Sequence, residues 1–158
     1  MVKRVVISTL IAVALLAGPG TQVWGALTGP NEGAGQARVI RWIDGDTVLT
    51  DAGKVRLVGI DTPEKGRCGY DAARKVSERV APAGTTVDLA LPDVAENDRH
   101  GRMLRYVDTG RADVGAVQVE AGAWARYDSR DGYRSHQNQR EYRLMDREHR
   151  NYCGAPHP

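Results

Sequence analysis

The sequence predicts an α+β domain in which five strands close into a small barrel flanked by about three helices. Three observations predict it. Three β-prone runs follow one another between residues 37 and 59 with only short turns between them. A stretch with helical spacing, Tyr70 to Val80, separates them from two further strands. Two more helical stretches then complete the chain. A sheet this small leaves no open edge if it closes on itself, which favours a barrel. Other α+β arrangements share the same element order.

The chain has 158 residues, room for one domain of ordinary size. Its start has a different character. Lys3 and Arg4 form a positive region, residues 5–17 an apolar run, and Val23 and Gly25 precede a cut ahead of Ala26. That is the layout of a secretory signal peptide over residues 1–25, and the apolar run is short for a membrane span. An uncleaved N-terminal anchor is the competing reading. Residues 26–36, rich in Gly and small polar residues, read as a flexible leader. Residues 37–158 form the domain. Of the 22 basic residues only Lys3 and Arg4 lie in the leader peptide, so the exported portion balances its 20 acids. Global charge therefore gives no argument for a polyanionic partner, and any phosphate-binding surface must come from local placement of Arg.

Ala37 to Ile43 is the first strand and meets Asp44-Gly45, a dipeptide that predicts a tight hairpin turn with positive φ. Thr47 to Thr50 is the second strand, Asp51 to Gly53 a turn, and Lys54 to Gly59 the third strand. Ile60 to Gly69, punctuated by Pro63 and Gly66, reads as a loop. Tyr70 to Val80 carries an apolar stripe of Ala72, Ala73, Val76 and Val80 at helical spacing, and Pro82-Ala83-Gly84 ends it. Thr85 to Leu91 alternates as a strand, and Met103 to Thr109 is the fifth. Asp113 caps a short helix running to Gly122. Ala125 to Gly132 reads as irregular, and Gln137 to Arg150 as an amphipathic helix with Tyr142, Met145 and His149 on its apolar side. Trp42 and Trp124 read as core. An oligonucleotide-binding-type Greek-key barrel uses five strands in this way.

Cys68 and Cys153 are the two cysteines. In an oxidising compartment they have one intramolecular pairing, and a bridge across about 85 residues stabilises by roughly 4–5 kcal/mol in the chain-entropy picture. The competing readings are a free thiol, or a metal site using Cys153 and His157.

Three segments carry the chemistry: residues 43–48 (Ile-Asp-Gly-Asp-Thr-Val), residues 56–64 (Arg-Leu-Val-Gly-Ile-Asp-Thr-Pro-Glu) and residues 98–102 (Asp-Arg-His-Gly-Arg). Alone, the first is a polar turn, the second a loop, and the third a solvated charged loop. Together they offer a complete inventory for phosphodiester hydrolysis. That reaction needs charge stabilised on phosphoryl oxygens and a water oriented or deprotonated. Asp46 and Asp61 can hold a hard divalent cation, Arg56 and Arg102 can donate paired hydrogen bonds to phosphate, and Glu64 can serve the water. In a regular strand Arg56 and Asp61 have opposite parity and point to opposite faces, and Gly59 permits a bulge or bend that brings both toward one mouth.

These segments, extended by the Gly-Arg-x-Leu-x-Tyr of residues 101–106, resemble the signature segments of the staphylococcal-nuclease family, in the family order, from about Ala37 to Tyr127. The resemblance implies that Asp46 and Asp61 ligate Ca²⁺ through carboxylates and Thr62 through its backbone carbonyl, with Asp44 assisting through water. It implies that Arg56 and Arg102 grip the scissile phosphate and that Glu64 positions the attacking water as general base. It also implies cleavage of the 5′ P–O bond of DNA and RNA, leaving 3′-phosphates. Where the best-known member has a Lys-Tyr pair on the terminal phosphate, this chain has Arg99-His100. The tyrosines that stack on a base are represented by Tyr127, or by Tyr133; such stacking contributes about 1–3 kcal/mol per base. The implied protein is a secreted monomer that is not held by a membrane once the leader is cut, with nucleic acid as substrate and no stable protein partner. The alternatives are a non-catalytic barrel module of the same family that binds nucleic acid or protein, and an interaction domain with no nucleic-acid role. Glu64, Arg56 and Arg102, whose loss would mark the module, are all present.

Overall fold

The computed structural model describes residues 34–93, 95–126 and 135–155. The expected signal peptide 1–25, most of the expected flexible leader 26–36, Tyr127, Tyr133 and His157 lie outside the described residues. Among the described residues seven strands are present: β1 (Gly35–Trp42), β2 (Thr47–Thr50), β3 (Gly53–Leu57), β4 (Ile60–Asp61), β5 (Thr86–Ala90), β6 (Met103–Asp108) and β7 (Trp124–Ala125). Three helices accompany them among the described residues: α1 (Tyr70–Val80), α2 (Val114–Ala121) and α3 (Gln139–Glu148). Five strands close a barrel in the order β1-β2-β3-β6-β5, all neighbours antiparallel except the parallel pair β3–β6. This is the α+β, oligonucleotide-binding-like arrangement that the element order predicts.

The strands follow from alternation. In β1, Ala37 and Val39 face the core while Arg38 and Ile40 face outward. A register shift between Val39 and Arg41 then changes the parity, so that Trp42 also turns inward. Its ring nitrogen donates to the Ala81 carbonyl at 2.8 Å, which closes the bottom of the barrel against the end of α1. Val48, Val55, Leu57, Val87 and Val107 fill the interior and are essentially inaccessible to water. Each such side chain contributes about 1.5–3 kcal/mol through burial.

Helix α1 begins after Gly69, whose φ of 85° only glycine adopts readily. Its buried face is Ala73, Val76 and Ser77; Ala72, expected on that stripe, is exposed, because the stripe is rotated toward Ser77. Asp113 caps α2 by accepting from the Gly115 amide at 2.8 Å, and Gly122 ends it with φ 122°. On α3, Tyr142 is buried and packs edge-on to Tyr106. Tyr142 donates to Asp113 at 2.7 Å, which ties α3 to the start of α2.

One pair of strands differs from expectation. Ile60 and Asp61, read as the start of a loop, pair antiparallel with Ala125, where irregular chain was expected to begin, and with Trp124. This short ribbon sits beside the barrel and carries Asp61. Trp124 is half-buried rather than a core residue. Among the described residues no helix is long and apolar enough to cross a membrane.

Candidate active site

The β1–β2 connection supplies the first carboxylates. Asp44-Gly45 was expected to form a turn with positive φ, but neither residue adopts one; the chain bends instead over residues 43–46 and is closed by the Ile43 amide donating to Thr47 O at 2.9 Å. Gly45 is required for proximity. A β-carbon there would lie 2.8 Å from Ala73 Cβ and 2.9 Å from Thr62 Cγ2, since α1 and the β4 loop close on the turn from behind. The Asp44 carboxylate accepts from the Asp46 amide at 3.1 Å, an Asx turn that aims Asp46 inward.

Asp46 is buried, and both of its oxygens accept hydrogen bonds. Oδ2 accepts from the Thr62 amide at 2.8 Å and the Thr62 hydroxyl at 2.9 Å, and Oδ1 from the Thr47 hydroxyl at 3.1 Å. Arg56 lies 3.2 Å from Asp46 Oδ2 and donates through the same Nη2 to Asp61 Oδ1 at 3.0 Å. One guanidinium therefore bridges two carboxylates. The contact to Asp61 depends on the bend that parity demands: β3 stops at Leu57, Gly59 takes φ 80°, and β4 restarts at Ile60.

Arg102 approaches from the β5–β6 loop. Asp98 organises that loop: its Oδ1 accepts from the His100 amide at 2.8 Å and the Arg102 amide at 2.9 Å. Asp98 Oδ2 accepts from Arg102 Nε at 2.6 Å, and these hydrogen bonds together with the Arg102 charge lower its carboxyl pKa in spite of its partial burial. The far end of Arg102 reaches Thr47 Oγ1 at 3.4 Å, one hydrogen bond away from Asp46. Arg99 and His100 are exposed at the tip of the same loop, where Arg99 Nε donates to His100 Nε2 at 3.1 Å. Glu64 is exposed two residues beyond Thr62, and its charge is close enough to help raise the Asp61 carboxyl.

The structure thus brings Asp44, Asp46, Arg56, Asp61, Thr62 and Arg102 together, with Glu64 at the edge and Arg99 and His100 on the neighbouring loop. Sequence reading missed Arg126. It follows β7 directly, its amide donates to Gly59 O at 2.8 Å, and its guanidinium donates to Asp61 Oδ2 at 3.1 Å. Its signal is the β4–β7 pairing, which two-residue strands do not display. It missed also that Asp98 anchors Arg102, although an Asp followed two residues later by His100-Gly101 carries an Asx-turn signal. Cys68 and Cys153 are bridged, with Cα atoms 5.9 Å apart, which sets aside both the free thiol and a metal role for Cys153.

The donor set bears on a cation. Among the described residues no group of three or more His, Cys, Asp or Glu forms a ready-made metal cage. The oxygens nevertheless suit a hard ion bound partly by water and substrate. Burial, then the charge of Asp46, pushes the Asp44 carboxyl up to about 6. Burial raises that of Asp61 too, against the pull of Arg56 and Arg126. Both shifts come first from burial, and a bound divalent cation would offset the cost of keeping these buried carboxylates charged.

No family model matches the chain. It is 37% identical over 82 residues to a thermonuclease of Staphylococcus hyicus, a similarity that covers 47% of this chain and 48% of that protein. The chain spans about half the length of the curated relative it matches.

Proposed function

We propose that this protein is a secreted, Ca²⁺-dependent nuclease of the staphylococcal-nuclease type, hydrolysing phosphodiester bonds of DNA and RNA and leaving 3′-phosphates. The observation that carries the reading is the single guanidinium of Arg56 shared between Asp46 and Asp61, with Arg102 linked to Asp46 through Thr47. The similarity to a thermonuclease supports the same class of chemistry.

The donor oxygens of Asp46, Asp61 and the Thr62 carbonyl would hold Ca²⁺, with Asp44 assisting through water. The ion, when bound, supplies Lewis-acid stabilisation of phosphoryl charge. Arg56 already sits between the carboxylates, so a substrate phosphate competes for the same N–H groups and takes over their charge-assisted hydrogen bonds. Arg102, preset by Asp98, offers a second set of donors across the mouth. Both guanidinium groups stay charged throughout and strengthen their contacts as negative charge accumulates on the phosphoryl oxygens. Glu64, exposed and unburdened by the ion pairs of Asp46 and Asp61, accepts the proton of the attacking water. Arg99 and His100 would meet the flanking phosphate, and Tyr127 would stack on a base.

A nuclease assay with Ca²⁺ or chelator, run beside Glu64→Gln and Arg102→Gly, tests this. The wild type degrades single-stranded DNA faster than duplex, chelator abolishes cleavage, and each substitution lowers it by several orders of magnitude. Undiminished cleavage in chelator, or by the Arg102 variant, defeats the proposal.

A further inference from the structure

The proposed site has two halves, and one C-terminal segment touches both. Residues 151–155 form a self-contained turn: the Cys153 and Ala155 amides donate to Asn151 Oδ1 at 2.9 and 3.1 Å. Cys153 is bonded to Cys68, in the loop that carries Glu64. Around this bridge the packing leaves no slack. A β-carbon on Gly69 would lie 2.4 Å from Tyr152 Cβ and 3.2 Å from Pro63 Cγ, next to Glu64. On the other side, a β-carbon on Gly122 would lie 2.6 Å from the Tyr152 amide nitrogen, which donates to Gly122 O at 3.2 Å.

Tyr152 also reaches the opposite half. Its hydroxyl donates to Gln118 Oε1. Gln118 is fully buried, and its Nε2 donates to Ala73 O at 2.8 Å and to Ser77 Oγ. Ser77, equally buried, donates to Gly45 O at 2.7 Å, in the turn that presents Asp44 and Asp46. Such a chain is costly to break, because a buried polar atom that loses its partner is left unsatisfied. It links the tyrosine beside the disulfide to the carboxylate turn.

We propose that residues 151–154 are a positioning element of the active centre: the Cys68–Cys153 bridge sets the loop bearing Glu64, and Tyr152, through Gln118 and Ser77, sets the turn bearing Asp44 and Asp46. This rests on the nuclease reading above. A disulfide that merely stabilised the fold would have no reason to act on both halves of one site. Glu64 needs an external hold, since it is exposed and its turn is closed by a backbone bond, from the Arg67 amide to its carbonyl at 2.9 Å, that does not fix the side chain.

The test compares the full chain with Cys68→Ser/Cys153→Ser, Tyr152→Phe and a stability control, Val107→Ala in the barrel core, all well below their melting temperatures. Readouts are kcat and KM on single-stranded DNA with Ca²⁺, and amide exchange over residues 64–69. Misplacing a catalytic group by about 1 Å can cost about 100-fold, so the double serine variant should lose at least about tenfold in kcat, with KM held within about threefold. Its 64–69 amides should exchange faster while those of β2 and β3 do not. Tyr152→Phe, which keeps the disulfide and the ring, should lose a smaller part of kcat, and Val107→Ala none. Wild-type activity with kcat of both site variants within about twofold, or unchanged exchange at 64–69, overturns the positioning role and leaves the nuclease reading standing. A loss of kcat in Val107→Ala equal to that of the serine variant overturns it as well. A wild type inactive on nucleic acid overturns the nuclease reading itself.

Discussion

The imidazole of His136 occupies the space where Gly59 would carry a side chain: a β-carbon there would lie 2.3 Å from its Cε1 and 2.5 Å from its Nε2. Gly59 also holds φ 80° between β3 and β4. Two independent constraints, backbone and contact, therefore exclude any other residue at the bend that brings Asp61 to Arg56. Gly59→Ala should destabilise by about 2–4 kcal/mol, from the left-handed backbone and the overpacking together. Urea titration checks this; a midpoint shift under about 1 kcal/mol would show that His136 moves aside at little cost.

His136 predicts the pH dependence of stability. It is buried, its Nδ1 is paired with the Tyr106 hydroxyl at 2.7 Å, and burial, with the charge of Arg143 second, lowers its pKa below the usual 6.5. Between the depressed folded value and 6.5 the unfolded chain binds a proton that the native chain does not, so stability rises with pH across that window. The contribution is complete above about pH 6.5 and is lost as pH falls through the folded value. Asp44, raised to about 6, pulls the opposite way over part of this range, so the comparison must be made between variants. The slope of stability against pH should be less positive in His136→Gln than in wild type just below about pH 6.5. Parallel profiles would remove His136 as the cause.

The Asp98 carboxylate holds Arg102 at two points, its amide and its Nε, yet has no expected role in the reaction itself. Asp98→Asn keeps the size of the side chain but weakens the acceptors that orient the guanidinium. Cleavage should fall about 10–100-fold while the melting temperature changes little. Steady-state kinetics beside a thermal melt decide it, and equal loss in both would mean that Asp98 serves the loop and not the arginine.

Cation binding should be visible without catalysis. Ca²⁺ with a nucleoside 3′,5′-bisphosphate should raise the melting temperature, by an amount equivalent to about 2.7 kcal/mol at a hundredfold excess over Kd. Asp61→Asn should abolish the Ca²⁺-dependent part. A shift that survives in Asp61→Asn would place the ion elsewhere.

The barrel strands and the three helices were legible because each declares its period: two in β1 and β5, near four in α1 and α3, with Gly53, Gly69 and Gly122 marking ends. The ribbon of Ile60–Asp61 with Trp124–Ala125 was not, since two residues show no alternation, and Arg126 was hidden with it. Gly45 shows a subtler limit. An Asp-Gly step looks the same whether glycine is needed for its backbone angle or for the helix packed behind it, and only tertiary contact with Ala73 and Thr62 tells the two apart. Gln118 likewise reads as a polar surface position, for its partner Tyr152 lies far along the chain. The acid and arginine cluster was legible because its chemistry is concentrated in three short segments.

The parallel pairing of Arg56 with Leu104 and Val55 with Met103 has a kinetic consequence. The β1–β2–β3 meander can zip locally as it is made, but β3 gains its second neighbour only after the long excursion through α1 and β5 is complete. The two guanidinium groups proposed for phosphate meet at that last seam. A chain in which β6 has not yet joined β3 therefore holds Arg56 beside its carboxylates without Arg102, and the proposed site is completed late in folding.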